Sequence, residues 1–133
     1  MTLAAACDSL KTLLGAATGI ARAYGDPPGS INEFPALIVY PYRGTLEAAS
    51  AGLSKGLHVI AVDIIQSRQS LSEAVDLAKE WPERVLAILA VNQTLSTTVT
   101  AIVWPVNYRT MPMRYGQDML FGTRFEIQVK ILG

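Results

Sequence analysis

Apolar and polar residues alternate most cleanly at the end of the chain. Phe121, Thr123, Phe125, Ile127, Val129 and Ile131 fall on one side of an extended backbone. Gly122, Arg124, Glu126, Gln128 and Lys130 fall on the other. A period of two predicts a strand with one buried and one polar face. Upstream, Leu57 to Gln66 is apolar on both alternations, which predicts a strand covered on both sides. After Ser67-Arg68-Gln69, Ser70 and Glu73 have the spacing of a capping box, in which hydroxyl and carboxylate each satisfy an N–H of the first helical turn. The helical pattern then runs to about Val91, with Leu71, Val75, Ala78, Val85, Ile88 and Leu89 as its buried stripe. Pro82 interrupts it. A proline removes one backbone hydrogen bond and clashes with the preceding turn. The sequence therefore predicts either a kinked helix or two short ones, the second with Pro82 in its first turn.

The N-terminal segment repeats Leu3, Cys7, Leu10, Leu14 and Ala17 at helical spacing. Gly19 is the preferred stop, with an extension to Ala23 and a stop at Gly25 as the alternative. Gly25-Asp26-Pro27-Pro28-Gly29-Ser30 predicts a stiff loop. Leu37 to Tyr40 predicts a short strand, limited by Pro35 and Pro41 and placed near a sheet edge. Arg43 to Gly56 is rich in Gly, Ala and Ser and predicts a long loop between strands, a kind of segment that is usually functional or mobile. Thr97 to Tyr108 predicts β-structure. Thr110 to Met113 predicts a turn or irregular link, and Tyr115 to Asp118 a second turn.

The 133 residues suit one sheet-plus-helix domain. Half of them are hydrophobic, and the mean hydropathy is +0.30. That exceeds what a solitary monomer requires, and surplus apolar surface often becomes an oligomer interface. Eleven basic and eleven acidic residues cancel without forming blocks, so no footprint for tight nucleic-acid binding exists. A single cysteine, Cys7, excludes an intramolecular disulfide framework and suits a reducing cytoplasm. Asp8 and Lys11 break up the N-terminal apolar run, which does not read as a signal peptide. No apolar stretch is long enough to span a bilayer.

Residues with catalytic potential are few. His58 is the only histidine, and Asp63, five positions on, points to the opposite face of a regular strand. The two form no dyad, and one histidine with one distant cysteine supplies too few ligands for a metal. Asp63 sits in an apolar strand and needs a partner or an exposed position. Arg68, Arg109, Arg114 and Arg124 are the candidates. Cys7 falls on an apolar helical stripe and reads as a small buried hydrophobe. Trp81, Trp104, Tyr108, Tyr115 and Phe121 read about equally well as packing residues or as protein–protein anchors.

Several motifs together resemble the tail terminator (tail completion) proteins of long-tailed bacteriophages. They are the N-terminal helix ending near Thr18-Gly19-Ile20, the Pro28-Gly29-Ser30-Ile31 loop, and Phe34-Pro35-Ala36 opening a strand that ends at Tyr40-Pro41. Next come His58-Val59-Ile60-Ala61-Val62-Asp63 as central strand, and Arg68 with Ser70-Leu71 opening a helix. Last is the Phe121–Lys130 strand after Tyr115-Gly116. No single motif is diagnostic; their order covers most of the chain.

The resemblance implies an α+β fold: one domain over residues 1–133, with a mixed, mostly antiparallel sheet and two main helices packed on one side. It implies a structural virion protein without enzymatic activity or cofactor, assembled in the bacterial host cytoplasm. Such subunits form a homo-oligomeric ring, a hexamer, at the head-proximal end of the tail tube. The ring ends tube polymerisation and joins the head–tail connector, and DNA passes through its lumen without sequence-specific binding. Its partners are the tail tube protein and a connector or neck protein, with no membrane involved. From exposure and loop length, three regions are candidates for the contacts. They are the Arg43–Gly56 loop with Arg43, Glu47 and Lys55; the Arg109–Gln117 segment with Arg109, Arg114 and Tyr115; and the polar strand face of Arg124, Glu126, Gln128 and Lys130. Other readings are another neck protein (head-closure or adaptor), or a small cytosolic enzyme or ligand-binding domain using His58, Asp63 and an arginine. The last predicts a deep pocket with converging polar groups.

Overall fold

The computed structural model describes residues 2–48, 54–67 and 72–132, with the side chains of Ser54 and Glu73 left aside. The chain begins with helix α1 (Leu3–Gly15), whose N-terminus is capped by Thr2: its hydroxyl accepts from the Ala5 amide at 3.1 Å. The helix ends four residues before Gly19, which lies beyond it with φ +100°. Strand β1 (Arg22–Tyr24) follows, then β2 (Ala36–Ala48) and β3 (Ser54–Ser67). Helices α2 (Ser72–Ala78) and α3 (Trp81–Ala90) come next, and strands β4 (Ala101–Tyr115) and β5 (Asp118–Leu132) complete the fold. The sheet order is β1-β2-β3-β5-β4. β1 pairs parallel to β2, and every other pair is antiparallel. This is a mixed α+β domain, with α1 and α3 on one face of the sheet. Pro82 stands in the first turn of α3, so the interrupted helical stretch is two short helices.

The core lies between the helices and that face. Ala6, Leu10 and Leu14 of α1, with Trp81, Val85 and Leu89 of α3, pack on Leu37, Val39, Ile60, Val62, Phe125, Ile127 and Val129. The helical stripe differs from the expected one. Ala74 and Trp81 are buried, whereas Val75 is exposed. Leu71, Arg68 and the Ser70–Glu73 capping box lie outside the described residues. The opposite face is covered only in part. There Ile31 packs on Ala36, Ile38, Ile65, Met113 and Leu120, with Phe34 beside them. β3 is thus enclosed on both faces along much of its length, as its apolar run predicts.

Three expectations are corrected. Arg43–Ala48 and Ser54–Gly56 are not loop: they extend β2 and β3 into a long hairpin, with Thr45 opposite Leu57 and Glu47 opposite Lys55. Small residues lack periodicity, and here pairing with β3 alone sets the conformation. Thr110–Met113 is not a link either; it continues β4, with Met113 opposite Leu120. The segment 97–100 precedes β4 instead of opening it. Leu95, Ser96 and Thr97 all have left-handed φ values between 47° and 65°, a costly conformation for L-residues. It is held by the burial of Leu95 and Val99 in the core, and by the hydroxyls of Ser9 and Thr98, which donate to the Leu95 carbonyl at 2.8 and 2.7 Å.

Gly122 marks the tightest point of β5. A Cβ there would stand 2.6 Å from the Ile64 carbonyl oxygen and 2.8 Å from Ile65 Cδ1. The neighbouring register of β3 shifts between Ile65 and Ser67, so the strand bends where it has no side chain. Gly122→Ala is expected to lower the stability by about 1–3 kcal/mol, the usual range for overpacking. Urea unfolding checks this; an unchanged midpoint contradicts it.

Candidate functional site

Register places Ile38, Asp63, Arg124 and Arg109 in one row across the sheet, on the face away from α1 and α3. On the Ala36 side of this row the second apolar cluster covers the face. On the Ala48 side the face carries Glu126, Gln128 and Lys130, all partly exposed. Asp63 therefore stands at the border. It is fully buried, and its partner is Arg124. Arg124 donates in a bidentate fashion, Nε to Oδ1 at 2.7 Å and Nη2 to Oδ2 at 3.0 Å. The Tyr40 hydroxyl donates to Oδ2 at 3.1 Å, and the Tyr115 hydroxyl donates to the same oxygen. The Arg124 guanidinium also lies 5.9 Å from the ring centres of Tyr40 and Tyr42.

Tyr115 is six residues beyond Arg109 on β4, about 20 Å along a straight strand. Its contact with Asp63 requires the end of the β4–β5 hairpin to curl over the sheet. Gly116, at the hairpin tip with φ +62°, meets the Gly29 carbonyl there, where a Cβ would collide. Tyr115 is thus a buried clasp instead of the exposed contact residue the sequence suggests.

This cluster is charge-balanced and closed. Hydrogen bonding to Asp63 holds the Arg124 guanidinium more firmly protonated than usual. Burial, and then the Asp63 charge, push the Tyr40 hydroxyl from 10.0 up to about 12, and push Tyr115 upward as well. Neither tyrosine is activated as an acid or nucleophile. Burial likewise raises the Cys7 thiol, with a smaller push from Asp8. His58 lies on the opposite face from Asp63, its ring stacked over Gly44 and Gly56. Among the described residues no three His, Cys, Asp or Glu side chains gather where they could hold a metal. No helix among them is long and apolar enough to cross a membrane.

The other candidate contact residues fall into two groups. Arg43, Glu47, Lys55, Arg109, Arg124, Glu126, Gln128 and Lys130 share the partly uncovered face, by register. Lys55 and Glu47 form an exposed ion pair at 3.6 Å. Arg114, opposite Met119, lies on the other face. Beyond Tyr40, residues Pro41 to Ala48 are exposed on both alternations. Leu46 is 78% exposed. The outer half of β2 is therefore an exposed edge strand, whereas the β3 residues opposite it, Lys55 to Val59, are themselves paired with β5.

A second surface escaped the sequence reading. Beside β4, the face that carries α3 has a groove of about 310 Å³. Pro82, Val85, Leu86, Leu89, Trp104, Pro105, Val106, Tyr108 and Phe125 line it, with Glu83 as its one charged residue. Trp104 is held in place by its indole N–H, which donates to Gln93 Oε1 at 2.8 Å. Tyr108 rests on Phe125 with ring centres 5.7 Å apart. The aromatic residues near β4 signalled this surface; its shape depends on the irregular register between Val103 and Asn107. The chain matches no known family model and no curated protein in sequence.

Two predictions concern the Asp63 cluster. Arg124→Met leaves a buried carboxylate without its counter-charge and is expected to cost about 3–5 kcal/mol, read as a lowered urea midpoint. A loss under 1 kcal/mol contradicts the assignment of Arg124 as that counter-charge. The raised tyrosine values fix the sign of the alkaline response. Both hydroxyls bind their protons more tightly in the folded chain, so their contribution is whole below pH 10 and is lost as the pH rises through about 12. Stability should therefore decline above pH 10, and the Tyr40→Phe/Tyr115→Phe double variant should decline less steeply. An equally steep decline in the double variant contradicts this account.

Proposed function

We propose that this protein is a structural virion subunit that forms a hexameric ring at the head-proximal end of a phage tail tube. The observation that carries the self-assembly part of this reading is the outer half of β2, Pro41 to Ala48, exposed on both faces at the edge of the sheet. An edge strand presents backbone donors and acceptors to another chain, so an exposed edge of this length favours a subunit completed by a neighbour. The partly uncovered polar half of the sheet offers a further surface of the same kind. The hollow beside β4 is apolar, and the one buried charge cluster among the described residues is internally satisfied. That weighs against the deep polar pocket an enzyme or ligand-binding domain would use.

The position in the tail follows from the resemblance. The described elements run in the order that it implies: helix, Pro-Gly loop, strand opened by Phe34-Pro35-Ala36, central strand and closing hairpin. In this role the protein works by binding alone. One face of the ring seats on the last ring of the tube, and the other joins the connector without offering a further tube-binding surface. Zero net charge suits a lumen through which DNA passes without being gripped.

Native mass spectrometry at micromolar concentration is expected to give a species of six subunits. A discrete dimer or tetramer contradicts the ring.

A further inference from the structure

We propose that the outer half of β2 in one copy pairs, backbone to backbone, with β4 of the next, so that the sheet continues from subunit to subunit. This deepens the self-assembly reading and rests on it, by naming the strand that completes the open edge. Both strands are unfinished edges. β1 covers β2 only from Ala36 to Ile38, and β4 ends the sheet on the other side. Each is exposed on both alternations, β2 from Pro41 to Ala48 and β4 from Asn107 to Thr110.

The prolines mark which backbone groups point outward. A proline has no amide to donate, so within an edge strand its nitrogen stands on the unpaired side. Pro41 and Pro112 therefore turn their nitrogens away from β3 and β5. Outward and inward backbone groups alternate along a strand, so Tyr108 and Thr110 face outward in step with Pro112. The Lys130 carbonyl accepts from the Thr100 amide at 2.8 Å, which aims the even residues of β5 at β4 and gives the same assignment. On β2 the register step between Pro41 and Arg43 moves the outward set to Gly44, Leu46 and Ala48.

Sense, register and charge all fit a second copy. β2 is antiparallel to β3, β3 to β5 and β5 to β4, so β2 and β4 run in opposite senses. Rotation about an axis along the strands preserves sense, and β2 meets the neighbour's β4 antiparallel. Placing Leu46 opposite Tyr108 aligns the outward sets and leaves Pro112 at the end of the contact, opposite Tyr42. Leu46 and Tyr108, 78% and 53% exposed, then cover one another on the helix face. On the Asp63 face Glu47 lies diagonal to Arg109. Arg109 stands opposite Arg124 in its own chain and makes no ion pair among the described residues. The neighbour's Glu47, which its own Lys55 approaches only to 3.6 Å, supplies the missing charge. The contact is heterologous: each copy added leaves one β2 edge and one β4 edge free until the ring closes.

Two proline variants of the full chain remove outward amides while sparing the ladders inside the subunit: Leu46→Pro on β2 and Thr110→Pro on β4. Circular dichroism verifies folding. Each variant alone should be monomeric where the wild type assembles. An equimolar mixture should form a heterodimer and stop there, because only one β2 edge and one β4 edge remain intact. Register is read separately with Cys7 replaced by serine. Arg43→Cys/Met111→Cys should give disulfide-linked multimers on mild oxidation, at least tenfold more than the displaced pair Thr45→Cys/Met111→Cys. Within one chain β2 and β4 are three strand spacings apart, about 14 Å, too far for a disulfide, so any such bond joins two copies. If a proline variant unfolds, the cysteine pair decides. If the wild type forms its hexamer and both folded proline variants do too, or the cysteine pair stays unlinked, the strand pairing is overturned and the ring reading stands. If the wild type assembles with another subunit number, and both proline variants abolish it, the pairing holds and the hexamer falls. A wild type that stays monomeric at all concentrations overturns both.

Discussion

One buried carboxylate ties the four long strands together. Tyr40 comes from β2, Asp63 from β3, Arg124 from β5 and Tyr115 from β4, and all three partners donate to the Asp63 side chain. A buried charge of this kind is rarely the best source of stability, since desolvation offsets most of the attraction. Its geometry is restrictive, however. The bidentate fork fixes the β3–β5 register at the centre of the sheet, and the two hydroxyls fix how the outer strands approach it. The curl of the β4–β5 hairpin follows from the same point, because Tyr115 reaches Asp63 only if the hairpin folds over the sheet.

The cluster also divides the sheet's second face. On one side lies the apolar cluster of Ile31, Ile38, Ile65, Met113 and Leu120. On the other lie Glu126, Gln128 and Lys130, the last two in the same rows as the outer half of β2. A domain that closes one half of a sheet with its own chain and leaves the other half polar and partly open holds a surface in reserve. The helix-side groove beside β4 and the exposed outer half of β2 add two surfaces at opposite edges of the sheet. The functional reading rests on this uneven coverage, since the ionisable groups at the centre are occupied with one another.

Much of the frame is legible in the sequence because burial writes a period into it. The alternation from Phe121 to Ile131 and the double-sided apolar run of β3 correspond to the burial in the structure, and the Pro82 break corresponds to the gap between α2 and α3. The outer half of β2 is illegible for a physical reason. Buried on neither face, it carries no periodic mark, and its strand conformation comes from pairing with β3. β1 has only three residues, too few for any period. The extension of β4 through Met113 was masked by Pro112, which an edge strand tolerates. Asp63 announces itself as a charge in need of a partner, but the choice of Arg124 among four arginines depends on register. Tyr115 as a clasp depends on the hairpin's curl, and no local pattern encodes that.

The central claim is that the exposed outer half of β2 is completed by another copy of the chain. Hydrogen exchange followed from dilute to concentrated protein reads this at the backbone. The amides of residues 42–48 should gain protection as assemblies form, while the core strands near Asp63 stay equally protected throughout. Rapid exchange of this edge at a concentration where the protein is fully assembled would contradict the claim.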